Sequence, residues 1–139
     1  MENGNKRIRV LLARHIMEGH DLGIRMIAMK CRDVGMEVIF VSRFYELGEV
    51  VKAAQQEAAD AIGLTSSSGA HLFQGKEIMR LLKENDMDLP VIIGGLVPAE
   101  DAAKLKEMGI KGVFGPGSTP DEAVKFILGI TLSSGDRKE

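Results

Sequence analysis

The sequence has little of what several functional classes require. It holds one cysteine, Cys31, so no disulfide can close within the chain. It holds no tryptophan, one tyrosine and five phenylalanines, too few for a surface on which bases would stack. Neither sign of charge dominates. Eighteen Lys and Arg face twenty Asp and Glu, for a net charge of −2, and no basic stripe marks a nucleic-acid partner. No apolar run approaches the roughly 20 residues that span a bilayer. The stretch Met1 to Arg9 carries charge without the apolar segment of a signal peptide, so the expected location is cytoplasmic. Solenoid repeats and low-complexity tracts are absent as well. What remains, 45% hydrophobic and 27% charged over 139 residues, is the composition of one ordinary globular domain. Its expected extent is residues 1–130, followed by a polar, flexible tail over 131–139.

Short apolar runs alternate with longer amphipathic ones. Ile8–Ala13, Glu37–Ser42, Ala61–Thr65, Val91–Gly94 and Gly112–Phe114 are short and rich in branched residues, as buried strands are. Their apolar character is continuous, which suits a parallel sheet covered on both faces. Helical spacing fills the gaps: Gly23–Val34, Leu47–Ala58, Ala70–Lys83, Pro98–Met108, and a last helix capped by Thr119 and running to about Leu128. Gly35 and Gly109 follow two of these helices as C-terminal stops. Thr119-Pro120-Asp121-Glu122 has the form of a capping box with proline at the first helical position. Five βα units with right-handed crossovers predict an α/β fold, a flavodoxin-like doubly wound five-stranded parallel sheet of order 2-1-3-4-5. Such a sheet binds ligands beyond its strand ends at the switch point, between its first and third strands. Three loops therefore bear on function: 14–22, 66–70 and 95–97.

The first loop, Arg14-His15-Ile16-Met17-Glu18-Gly19-His20-Asp21-Leu22-Gly23, is long for a βα connection. Glycines flank His20, and Glu18 stands two residues before it. A carboxylate on one ring nitrogen fixes the tautomer and leaves the other nitrogen for a metal. The same spacing equally suits a solvated loop in which His20 and Asp21 cap the first helix. His15 and His71 lack an acidic residue two positions away, and each reads as a loop or helix-surface residue. Thr65-Ser66-Ser67-Ser68 offers hydroxyls to a ligand or, through Ser68, a cap to the next helix. Gly94-Gly95 and Gly115-Pro116-Gly117 permit close backbone approach or simply tight turns. No phosphate-binding loop, no Gly-x-Gly-x-x-Gly after the first strand and no magnesium-holding acidic pair is present.

Taken together these loops resemble the cobalamin-binding domain of the methylmalonyl-CoA mutase type, over about Ile8 to Ile127. That family carries Asp-x-His-x-x-Gly after the first strand, Ser-x-Leu after the third and Gly-Gly after the fourth. Glu18-Gly19-His20-Asp21-Leu22-Gly23 matches the first with Glu for Asp, Thr65-Ser66-Ser67 stands in place of the second, and Gly94-Gly95 matches the third. Ser68-Gly69-Ala70-His71 and Phe114-Gly115-Pro116-Gly117 are similar to stretches of the acyl-CoA mutase branch. The resemblance implies base-off binding, in which His20 is the lower axial ligand of cobalt and Glu18 holds it. Arg14 stands where that branch has a lysine, extending the chain to Arg14–Glu18–His20. The implied cofactor contacts are Glu18, Gly19, His20, Asp21, Gly23, Thr65, Ser67, Gly94, Gly95 and Gly115. Ser67 in the leucine place removes apolar lining, and burying a leucine is worth roughly 1.5–3 kcal/mol.

The resemblance further implies adenosylcobalamin as cofactor and radical chemistry that belongs to it, with no catalytic residue in this chain. A substrate-binding TIM barrel needs about 250 residues, so the expected partner is a larger barrel subunit. The leading expectation is the cobalamin-binding small subunit of a two-component acyl-CoA mutase, with a homodimer possible for the free subunit. The alternatives are a non-catalytic corrinoid carrier or sensor with a drifted pocket, or the small subunit of another carbon-skeleton mutase.

Overall fold

The computed structural model describes residues 7–15, 22–44, 46–66, 70–95, 97–115 and 117–137. Strands and helices alternate throughout: β1 (Arg9–His15), α1 (Leu22–Asp33), β2 (Glu37–Phe44), α2 (Leu47–Gln56), β3 (Ala61–Ser66), α3 (His71–Glu84), β4 (Val91–Gly95), α4 (Ala99–Glu107), β5 (Gly112–Phe114) and α5 (Pro120–Arg137). All pairings are parallel, and the order is β2-β1-β3-β4-β5, as the alternation and crossover rules predict. The crevice between β1 and β3 is therefore the switch point.

Strand alternation divides the core into two layers. Val10 and Leu12 of β1, Ala61 of β3 and Ile92 of β4 pack with Ile24, Ala28 and Cys31 of α1 and with Val124 and Ile127 of α5. Leu11 and Ala13, Ile62 and Leu64, and Val91 and Ile93 point the other way, into Val50, Val51 and Ala54 of α2, Ile78 and Leu82 of α3 and Leu105 of α4. Each central strand is thus apolar on both sides, which is why its sequence shows a run and not an alternation. Val10, Leu11, Ile62, Val91 and Ile93 are fully buried. Each such side chain stabilises the fold by roughly 1.5–3 kcal/mol.

Helix ends follow the local chemistry. Gly35, at φ +94°, closes α1, and the Met36 amide donates back to the Cys31 carbonyl at 3.0 Å in a Schellman-type turn. At α5 the Thr119 amide donates to Glu122 Oε1 at 2.8 Å and the Glu122 amide donates to Thr119 Oγ1 at 3.2 Å, completing the capping box.

Two elements differ from the sequence expectation. Helix α5 does not stop near Leu128 but runs to Arg137, so most of the stretch read as a tail is helical. The buried stripe continues past Gly129 to Thr131, whose hydroxyl donates to the Ile127 carbonyl at 2.7 Å and is thereby satisfied in its buried position. Strand β2 extends to Phe44, with a register shift against β1 between Ala13 and His15. That irregularity falls at the carboxyl end of the sheet, where bulges commonly re-aim the chain beside a site. No helix among the described residues is long and apolar enough to cross a membrane.

Candidate functional site

Register decides what stands at the switch point. Arg14 pairs with Thr65, Thr65 with Gly94, and Gly94 with Phe114. This row crosses the carboxyl ends of β1, β3, β4 and β5 on the face covered by α1 and α5. The row beneath it reads Leu12, Gly63, Ile92, Gly112 by the same registers. With strands about 4.8 Å apart, Arg14 and Phe114 stand about 14 Å from each other. Between them are only a threonine and a glycine, so the row forms a slot two strands wide.

The slot has a floor and one firm wall. A Cβ on Gly63 would stand 2.8 Å from Leu12 Cδ2, so that leucine already fills the space. A Cβ on Gly112 would meet the Phe126 ring of α5 at 2.6 Å. Phe126 in turn meets Phe114 edge to face, with centroids 5.5 Å apart and an interplanar angle of 72°. Gly115 is needed for packing too, since its Cβ would lie 2.8 Å from the Val97 carbonyl oxygen. Gly94 is different. A Cβ there would reach only Phe114 O, at 3.5 Å, an ordinary van der Waals contact. Packing among the described residues therefore leaves room for a side chain at 94. Gly95 sits at φ +124°, a backbone state that L side chains rarely adopt. Among the described residues the Thr65 hydroxyl makes only a long bond, 3.4 Å, to the Ala13 carbonyl and keeps acceptor capacity for a ligand.

The structure thus brings Arg14, Thr65 and Gly94 into one row, with Gly95 next along β4 opposite Ser66. Arg14 is half-buried. Gly23 lies exposed in the first turn of α1, and Gly115 sits at the end of β5 against Val97. Glu18, Gly19, His20, Asp21 and Ser67 lie outside the described residues, as does Ser68. The N-cap position of α3 belongs to Ala70, two residues past Ser68.

One reading is corrected. His71 is not a surface residue. It is 4% exposed, and its Nε2 lies 2.7 Å from Oδ2 of Asp101 in the first turn of α4. Nothing in local spacing signals this, because the partner is thirty residues away and meets His71 only through α3–α4 packing. The remaining polar features are remote from the slot. Arg9, on Glu37 at 2.7 Å and on the Glu57 carbonyl, shares a cleft with Arg7 and Arg32 at the amino ends of β1 and β2. The Arg9 guanidinium holds the Glu37 carboxyl below its usual range. Burial pushes the Cys31 thiol up to about 11, which makes it an inert core group.

Comparison with known proteins bears on the site directly. Residues 8–125 match the model of the family described as the B12 binding domain. The 2-hydroxyisobutanoyl-CoA mutase small subunit of Aquincola tertiaricarbonis is 37% identical over 131 residues, covering 94% of this chain and 96% of its own length. The pivalyl-CoA mutase small subunit of Xanthobacter autotrophicus is 35% identical over 131 residues, covering 94% of this chain and 88% of its own. A cobalamin-binding protein from Desulfitobacterium hafniense superposes with a TM-score of 0.76 at 22% identity, over 88% of this chain and 58% of that one, a likeness of fold.

Proposed function

Because this chain belongs to the B12-binding domain family, we propose that it is the cobalamin-binding small subunit of a two-component acyl-CoA mutase, cytoplasmic, and active only with a larger, barrel-shaped catalytic subunit. The observation that carries this reading is the slot at Thr65 and Gly94, whose missing side chain at 94 serves no packing need among the described residues. A flat heterocycle such as the nucleotide base of cobalamin suits a slot with a glycine on one strand and a hydroxyl on the next. The composition of the site fits the group.

In this reading the bound cofactor would supply the radical chemistry of the rearrangement. The chain's own residues bind and orient. His20 would offer an imidazole nitrogen to cobalt, and Glu18 would hold the other ring nitrogen and keep the imidazole in one tautomer. Arg14, on the slot's β1 side, stands at the root of the same loop and completes the basic–acidic–imidazole chain. Thr65 and Gly94 receive the nucleotide tail. Gly95 turns the backbone away at the strand end, and Gly115 lets the β5 turn close on Val97. Gly19, Asp21 and Gly23 shape the His20 loop, and Ser67 stands where a leucine would line the tail.

The test is a titration of the full chain with hydroxocobalamin, followed by absorption, beside His20→Ala. The expected result is a base-off, histidine-on spectrum for the wild-type chain and its loss in the variant. Binding without histidine ligation would favour the second reading, a corrinoid carrier or sensor with a drifted pocket, which Ser67 in the leucine place supports. Absence of binding would end both.

A further inference from the structure

The slot is chemically uneven along its length. On its β1 side stand Arg14 and the Thr65 hydroxyl. On its β5 side the side chains that register and packing bring together are hydrocarbon. Phe114 closes the row beside Gly94. Phe126 comes down from α5 onto Gly112, and its Cδ2, Cε2 and Cζ lie 3.0, 2.6 and 3.0 Å from where a Cβ on that glycine would be. The absence of a side chain at 112 is therefore what lets the ring reach the sheet. Ile92, paired with Gly112 in the row below, continues the same apolar surface. The two rings meet edge to face with centroids 5.5 Å apart, so each holds the other in place. Both are only half-buried, which leaves ring surface for an occupant of the slot to meet.

We propose that Phe126, braced on Gly112 and against Phe114, is a specificity-determining residue for the base of the nucleotide tail: it selects a base whose outer edge is hydrocarbon over a purine. The inference rests on the cobalamin reading, with the tail entering between Thr65 and Gly94. An occupant that matches the slot must be polar at one end and apolar at the other. Dimethylbenzimidazole meets that demand, because its six-membered ring carries only carbon and two methyl groups. Adenine does not, because its six-membered ring carries an amine and two ring nitrogens. Methyl groups against the Phe114–Phe126 wall leave water for an apolar surface. An amine there would leave water for a wall whose side chains offer no acceptor, and a buried donor left unpaired costs its full desolvation. Gly94 thus makes the space, and Phe126 decides which chemistry fills it.

Three probes separate the wall from the rest of the site: hydroxocobalamin, its analogue with adenine as the base, and aquocobinamide, a corrinoid without the nucleotide tail. Each is titrated into the full chain, into Phe126→Ala and into Phe126→Leu, and the Kd is read from the absorption spectrum. A hydrophobic pocket rejects an added polar group by up to about a hundredfold, so the wild-type chain is expected to bind hydroxocobalamin at least about tenfold more tightly than the adenine analogue. Phe126→Ala removes the ring and admits water, and should narrow that ratio to within about threefold while the Kd for aquocobinamide stays within about twofold. Phe126→Leu keeps the wall apolar and should keep most of the preference. Should Phe126→Ala fail to fold, Phe126→Gln carries the test, since its amide can pair with the amine, and the same narrowing is expected. A wild-type ratio under about threefold, a ratio that Phe126→Ala or Phe126→Gln leaves unchanged, or a Phe126→Leu chain that loses as much as Phe126→Ala overturns the proposal while the cobalamin reading stands. So does a wild-type chain that binds aquocobinamide as tightly as hydroxocobalamin, because the tail would then gain nothing from the slot. A wild-type chain that binds none of the three overturns the cobalamin reading and this inference with it.

Discussion

Gly94 and Gly115 look alike in the sequence and differ in what they meet. A Cβ on Gly115 would press on the Val97 carbonyl at 2.8 Å, and backbone cannot swing aside as a side-chain end can. Gly115→Ala is expected to destabilise the fold by about 1–3 kcal/mol, read as a lower urea midpoint. Gly94→Ala meets nothing closer than 3.5 Å and should change stability by no more than about 0.5 kcal/mol. Its effect should fall instead on hydroxocobalamin affinity, since the added methyl stands in the slot. A Gly94→Ala chain that binds like wild type would show that the tail lies elsewhere. Cys31 gives a pH test. Its thiol is raised to about 11 by burial, so the folded protein holds the proton more tightly than the unfolded chain does. That contribution to stability is complete below the ordinary thiol range and is lost as pH rises towards about 11. Cys31 is fully buried, so reaction of the folded chain with a disulfide reagent should be slow at pH 8. A fast rate at pH 8 would mean that α1 opens readily and exposes a thiol of ordinary acidity. The pairing of Thr65 with Gly94 was half legible. Strand ends and small residues mark both, whereas their alignment is a matter of register, which no stretch of sequence states.

Local chemistry made most element boundaries readable, and long-range packing hid the others. Thr119-Pro120-Asp121-Glu122 predicts the start of α5, and both bonds of the box form. Thr119→Ala should cost about 1 kcal/mol, measured by thermal or urea unfolding, with cobalamin affinity preserved. The far end of α5 was not legible, because the apolar spacing breaks at Gly129 and the helix continues beyond it to a buried Thr131. The His71–Asp101 bond escaped for a related reason. A histidine at the start of a helix reads as exposed unless the neighbouring helix is known to bring a carboxylate to it. The glycine at 75, inside a helix where it costs about 1 kcal/mol relative to alanine, was the available hint that another helix passes close by.

At the scale of the whole molecule, the order of the sheet followed from the alternation of runs and the handedness of crossovers, and the switch point followed from the order. The loop bearing Glu18 and His20 was legible only through resemblance, because a histidine between glycines serves a solvated turn equally well. Ligand binding to the folded state alone should stabilise the entire domain. At a hydroxocobalamin concentration a hundredfold above its Kd the gain is about 2.7 kcal/mol, read as a rise in Tm that His20→Ala should diminish. The row from Arg14 through Thr65 and Gly94 to Phe114 draws one residue from each of four strands spread over a hundred positions. A ribosome that has delivered β1 through β4 has made neither the wall of Phe114 and Phe126 nor the helix that covers it. The last residue of the row is therefore translated long after the first, and on the proposed reading the slot can receive a nucleotide tail only once the domain is complete.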